Sequence, residues 1–454
     1  MTIDEFVSSS HILHRSFSER PLKIVAGDGI KLILENGKTV IDASCGPSVS
    51  CLGHSQPEIF DAITAHLRND IAYVYSSSPY TNGATEALAD MLLAYKPGDL
   101  SKAIFVNSGS EATDAALKLA VQYWHERGQP RWTHFIARKQ SYHGNTIGAL
   151  CVCGHESRRE FYHDFMSPNV SFVDPCYAYR MKDQDESDEA FIQRLSREFE
   201  DEILRVGPDC VAGFIAEIVS GTTLGCLPAV PGYFKAIREI CDRYDVLLIL
   251  DEIICGMGKT GPDIQTIGKA LGAGFVPLSG VLLQEKIFQA LSSGSGGLAH
   301  GHTFQIFLFM EHLMLEERKI IKRDNLIERR EYMGQKLEAL LREEIGPLSL
   351  VGDIRGRGLF WAVEFALDKK AKTPFPGQVK FCSQVVKKSL KMGLNILGNL
   401  GHPGKYQVDH ILVCPPYTVT DSELGDIISL LKIAIIETSR PFLAKQSTTI
   451  EGRL

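Results

Sequence analysis

The middle of the chain sets the strongest limit on its fold: apolar runs of strand length alternate there with segments whose apolar residues recur at helical spacing. Ala103 to Val106, His134 to Ala137, Val211 to Val219, Val246 to Leu250 and Leu278 to Leu283 read as buried strands. Between them Ala112, Ala116, Leu119, Ala120 and Tyr123, and later Phe234, Ile237, Ile240 and Cys241, fall on single helix faces. Continuous apolar strands separated by helices predict a mostly parallel, doubly wound sheet covered on both sides. Loops at the carboxyl edge of such a sheet are where ligands bind.

The two ends are patterned differently. Before about Gly53 the turn signals Gly27-Asp28-Gly29 and Glu35-Asn36-Gly37-Lys38 separate short strand-like pieces, which predicts hairpins. After the charged helical stretch Glu316 to Glu344 come Gly358 to Phe365, the helix-like Val379 to Met392, Ile411 to Cys414, and a last helix from Asp421 to Ile435. The fold class expected is α/β: a large domain with a mostly parallel doubly wound sheet, plus a smaller α+β domain formed by both chain ends. Residues 1–53 are expected to be the N-terminal part of the small domain, 54–325 the large domain, and 326–454 the C-terminal part of the small one.

Composition narrows the function. A chain of 454 residues that is 44% hydrophobic can bury a large core. Its net charge is -7 and its Lys and Arg residues are dispersed, which argues against nucleic acid and membrane-surface partners. The eleven cysteines sit singly, Cys151 and Cys153 are too close for a zinc-type pair, and no metal site is predicted. Reduced thiols, no basic-then-apolar start after Met1, and no apolar segment of spanning length lead to an expected cytoplasmic location. Gly452-Arg453-Leu454 is only a distant relative of the Ser-Lys-Leu peroxisomal address.

Four loops carry chemistry. Asn107-Ser108-Gly109-Ser110-Glu111-Ala112 follows a strand and opens a helix; Ser108 and Glu111 have capping-box spacing, and Gly109 and Ser110 present N–H groups suited to a phosphate. Capped helices after strands are common, so this motif alone does not define a site. Tyr142-His143-Gly144 follows the next strand and offers an aromatic face for a flat ring. Asp251 ends the most apolar strand, where a carboxylate needs a partner. Lys269 then follows in Gly268-Lys269-Ala270. An amine for an aldehyde and a carboxylate for a pyridinium nitrogen are what pyridoxal 5'-phosphate (PLP) requires. Glu217, at the end of its strand, would steer a substrate amine or a cofactor-contacting side chain, and Thr303 in His300-Gly301-His302-Thr303-Phe304 offers a hydroxyl to the phosphate.

These motifs, with Asp251-Glu252-Ile253 and in this order, resemble the class III (omega-type) aminotransferases of PLP fold type I, from about Leu13 to Tyr417. The resemblance implies that Gly109 and Ser110 hold the phosphate beside the Tyr142-His143 loop, with Tyr142 stacked on the ring. It further implies that Asp251 pairs with the ring nitrogen, Ile253 packs on the opposite face, and Lys269 is the Schiff-base lysine. It implies a homodimer with a shared active site, Thr303 reaching the neighbour's phosphate. The partners are then a small-molecule amine donor and an oxo acid or aldehyde acceptor. A decarboxylase or aminomutase on the same fold, separable by acceptor dependence, stays open.

The chain departs from the family in three places. The link between Asp251 and Lys269 is shorter by about three turns of helix, which implies a shortened pocket wall or a strained path for Lys269. The second departure is Ile306 to Arg318, where relatives have small residues; its run Ile306 to Met310 is bulky, and overpacking there would cost about 1 to 3 kcal/mol. Together these also keep open a homologue with impaired catalysis. Lastly, Asp409-His410-Ile411-Leu412-Val413-Cys414-Pro415-Pro416 lacks the arginine that many relatives place before the Pro-Pro turn, so Lys405 or a backbone site is expected to replace it.

Overall fold

The computed structural model describes residues 10–68, 79–94, 97–256, 261–305, 308–399 and 408–451, with the backbone alone for 66–67, 97, 308–313, 315 and 445–451. The N-terminal hairpins are an antiparallel meander of β1 (Ile24–Asp28), β2 (Lys31–Leu34) and β3 (Thr39–Asp42). The central sheet takes β4 (Leu100–Val106), β5 (His134–Arg138), β6 (Val170–Val173) and β7 (Val211–Glu217). After the short pair β8 (Val219–Ser220) and β9 (Leu227–Pro228) it continues with β10 (Leu247–Asp251), β11 (Ile264–Ile267) and β12 (Ser279–Gln284). Its strand order is β4-β12-β11-β10-β7-β5-β6. Only β12 runs against the others.

Strand alternation explains where the functional edge lies. On β10, Leu247 and Ile249 pack with Ala112, Ala115, Ala116 and Leu119 of the helix Gly109–Glu126. Leu248 and Leu250 point the other way, onto Phe191, Leu195 and Phe199 of Asp188–Val206 and onto Ile237 and Cys241 of Tyr233–Arg243. Each such aliphatic side chain stabilises the fold by about 1.5 to 3 kcal/mol relative to exposure. The period of two continues to Asp251, which therefore faces the helix that follows β4. Because β4 and β10 run the same way, that helix begins at the edge where Asp251 ends its strand.

The chain ends meet as the patterning suggested. β13 (Val351–Arg357), β14 (Phe360–Phe365), β16 (Leu397–Gly398) and β17 (His410–Val413) form an antiparallel sheet, while β15 (Leu394–Asn395) pairs with β3. Ile30 and Ala43 share one core with Leu337, Trp361, Phe365, Phe381, Ile427 and Leu431. The last helix runs from Asp421 to Glu451, beyond the expected stop at Ile435, because Phe442 and Leu443 still pack on that core. All eleven cysteines are free, and among the described residues no helix is long and apolar enough to cross a membrane.

Candidate active site

Asp251 sits opposite Glu217 on β7 and Thr266 on β11. Its Oδ2 lies 2.8 Å from Nδ1 of the fully buried His143, and its Oδ1 accepts from the Ile253 N–H at 3.1 Å. A carboxylate can only accept, so Nδ1 carries a proton. Nε2 is buried and has no hydrogen-bond partner among the described residues. His143, grouped with the cofactor-binding residues in the sequence, thus contacts the acid that would hold a ring nitrogen.

Lys269 follows β11 by two residues. The short link from Asp251 still places β11 directly beside β10, with residues 257–260 outside the described part. Lys269 has φ +52, a left-handed conformation that costs a non-glycine residue on the order of 1 to 3 kcal/mol. It retains some accessible surface, yet desolvation by surrounding protein is the largest influence on its amine, lowering the pKa to about 8; the charges of Asp251 and Glu217 act in the opposite sense.

At the other end of the site Ser108 caps the helix and Glu111 reaches back one residue beyond it. Ser108 Oγ accepts from the Glu111 N–H at 3.3 Å, and a Glu111 oxygen accepts from the Asn107 N–H at 3.0 Å. The N–H groups of Gly109 and Ser110 fall in the first turn, where no intrahelical acceptor exists. Ser110 Oγ accepts from the Asn145 N–H at 2.9 Å, which ties the Tyr142-His143-Gly144 loop to this turn.

Bare backbone surrounds these groups. A Cβ on Gly109 would lie 2.8 Å from Ile253 Cδ1, and one on Gly268 would lie 2.4 Å from Ser279 Oγ and 3.3 Å from Ile253 Cγ2. Ile253 therefore packs between the helix start and the residue before Lys269. The half-buried Tyr142 ring lies under the Arg158 guanidinium, 4.5 Å from ring centre to cation, and burial raises its hydroxyl pKa. An amine, a fixed carboxylate, free helix-start donors and an aromatic face together fit PLP.

Some functional contacts had no sequence signal. Glu217 is buried against Arg138, which donates to the Glu217 carbonyl at 2.5 Å and lies 3.7 Å from its carboxylate; burial raises the Glu217 pKa. His302 Nε2 lies 3.0 Å from Glu111, fastening the loop that carries the exposed Thr303 to the helix start. Lys405, residues 306–307 and the side chains of 308–310 lie outside the described residues.

The family described as "Aminotransferase class-III" matches residues 14–435. An uncharacterized aminotransferase of Schizosaccharomyces pombe is 38% identical over 96% of this chain and 97% of its own length. The mitochondrial gamma aminobutyrate transaminase 1 of Solanum lycopersicum is 32% identical over 92% of this chain and 82% of its own. The omega transaminase of Pseudomonas jessenii, solved in complex with PMP, superposes with TM-score 0.89 at 28% identity, covering 97% of this chain and 99% of that one. The chain belongs to the class III aminotransferase family. It is a PLP-dependent aminotransferase of fold type I.

Proposed function

We propose that Lys269 binds the cofactor covalently and carries the proton during transfer of an amino group from an amine or amino acid to an oxo acid or aldehyde. The observation that carries this reading is the desolvated Lys269 amine beside Asp251 and Glu217 at one sheet edge. PLP, when bound, supplies an aldehyde carbon and an electron sink. Asp251, held by His143, would keep the ring nitrogen protonated. Gly109 and Ser110 would hold the phosphate with their N–H groups, Tyr142 and Ile253 would cover the two ring faces, and Glu217 would orient the incoming amine. Lys269, half neutral near pH 8, would take a proton from the substrate carbon and return it.

We read residues 54–325 as the cofactor-holding unit, closed by 1–53 and 326–454, and the active assembly as a homodimer. Exposed Ile12, Leu13, Phe17 and Leu22 and the exposed Thr303 support the second reading; light scattering of the reconstituted protein tests it. Cytosol is the compartment proposed. The activity is tested by mixing the reconstituted protein with single amines, γ-aminobutyrate and L-alanine among them, without an acceptor. Loss of the visible cofactor band, restored by an oxo acid, is expected; a band indifferent to every amine would overturn the reading.

A further inference from the structure

Among the described residues the Arg158 guanidinium has no carboxylate partner. Among them it makes no side-chain hydrogen bond and no ion pair, and its Nε is buried without an acceptor. Its one contact of note is the face of Tyr142. A buried donor left unsatisfied costs about 1 to 3 kcal/mol, so a side chain kept this way has either a ligand or no reason to be charged. Its surroundings indicate a ligand. Tyr142 is covalently next to His143, and His143 holds Asp251, so Arg158 rests on a ring of the loop that reaches the acid. A second guanidinium, that of Arg15 on the N-terminal segment, also acts on the Tyr142 hydroxyl. Two cations act on this hydroxyl, and the carboxylate that also does, Asp251, is already held by His143; that balance favours a substrate that brings its own negative charge.

We infer that Arg158 is a specificity-determining residue that receives the carboxylate of the substrate, by charge-assisted hydrogen bonds from its guanidinium edge while its face rests on Tyr142. Arg158 takes the part that the Pro-Pro neighbourhood cannot, since Asp409 to Cys414 contains no arginine. The inference rests on the Lys269 reading and specifies its substrate class: amines that carry a carboxylate.

The test compares matched donors in the amine half-reaction alone, so that no acceptor carboxylate intervenes. L-alanine is paired with ethylamine, and each ω-amino acid, γ-aminobutyrate among them, with the n-alkylamine of equal chain length. Loss of the visible band is followed in wild type, Arg158→Gln and Arg158→Lys holoenzyme. In wild type at least one carboxylate-bearing donor outpaces its matched amine. In Arg158→Gln that ratio falls by roughly 10- to 100-fold, the range of a lost charge-assisted bond, and Arg158→Lys recovers part of it. Cofactor affinity, read from spectral titration, stays at the wild-type value. The inference is overturned if no donor pair shows a carboxylate preference in wild type, or if the ratio is unchanged in Arg158→Gln. It is equally overturned if cofactor affinity falls while both donors slow alike, which would assign Arg158 to the cofactor. A wild-type protein with no visible band at all would instead sink the Lys269 reading.

Discussion

His143 and Asp251 are 108 residues apart in sequence, yet their side chains meet at 2.8 Å, both shielded from solvent. The imidazole partners the acid that faces the helix start, and among the described residues its other nitrogen has no competing hydrogen bond. A carboxylate anchored this way is held in place rather than left to its own rotamers.

Replacing His143 with Ala should therefore weaken PLP binding and slow turnover together. Loss of a bond to a charged partner is worth about 1.5 to 3 kcal/mol, or roughly 10- to 100-fold. Spectral titration with PLP and kcat/KM for one donor measure it. Wild-type affinity in His143→Ala would remove the histidine from the site's architecture.

The cofactor-free protein should show a pH dependence set by Lys269. Capture of an aldehyde needs the neutral amine, and desolvation lowers this amine from the ordinary 10.5 to about 8. The rate of PLP capture should rise through about pH 8 and then level off. Stability has the same sign: between about 8 and 10.5 the unfolded chain binds more protons than the folded one, so the apo-protein gains stability as pH rises. Stopped-flow absorbance reads the first effect. An inflection near 10.5 would mean that the amine is solvated.

Gly268→Ala should destabilise the site from within. The new methyl would meet Ser279 Oγ at 2.4 Å, and overpacking of this kind costs about 1 to 3 kcal/mol. Thermal unfolding of the apo-protein should show a lower Tm, and Ser279→Ala in the same chain should recover part of it. Equal Tm values for all three proteins would show that the backbone before Lys269 yields freely.

A fourth prediction concerns the junction between the sheets. Glu364 on β14 pairs with Arg355 at 2.6 Å and with Arg180 at 2.5 Å, and accepts from Tyr177, while Arg355 also donates to the carbonyls of Leu224 and Gly225. Removing the acid leaves Arg180 without its carboxylate and Arg355 with Asp353 alone, for which about 3 to 5 kcal/mol is expected. Urea unfolding of Glu364→Ala should shift accordingly; a shift below about 1 kcal/mol would show that water reaches the pair.

Periodicity exposed the large sheet because its strands β4, β7, β10 and β12 are apolar along most of their length. It missed β11, whose Gln265 and Thr266 break the apolar run although both are buried, and β6, whose four residues are too few to show a period. The motif residues were legible because strand ends and helix starts advertise themselves locally. The pairs that orient them, Arg138 with Glu217 and Arg158 with Tyr142, were not, since neither arginine has a local signal and each contact is made only by the folded chain. The short Asp251 to Lys269 link looked like a defect in sequence. Parallel pairing of Asp251 with Thr266 brings the lysine to the same edge regardless.

Covalent mapping of the cofactor tests the central claim most directly. The holoprotein is reduced with borohydride, digested, and searched by mass spectrometry for the lysine that carries the cofactor. The account predicts the label on Lys269 alone and its loss, with the visible band, in Lys269→Ala. A label on any other lysine of the wild-type chain would contradict it.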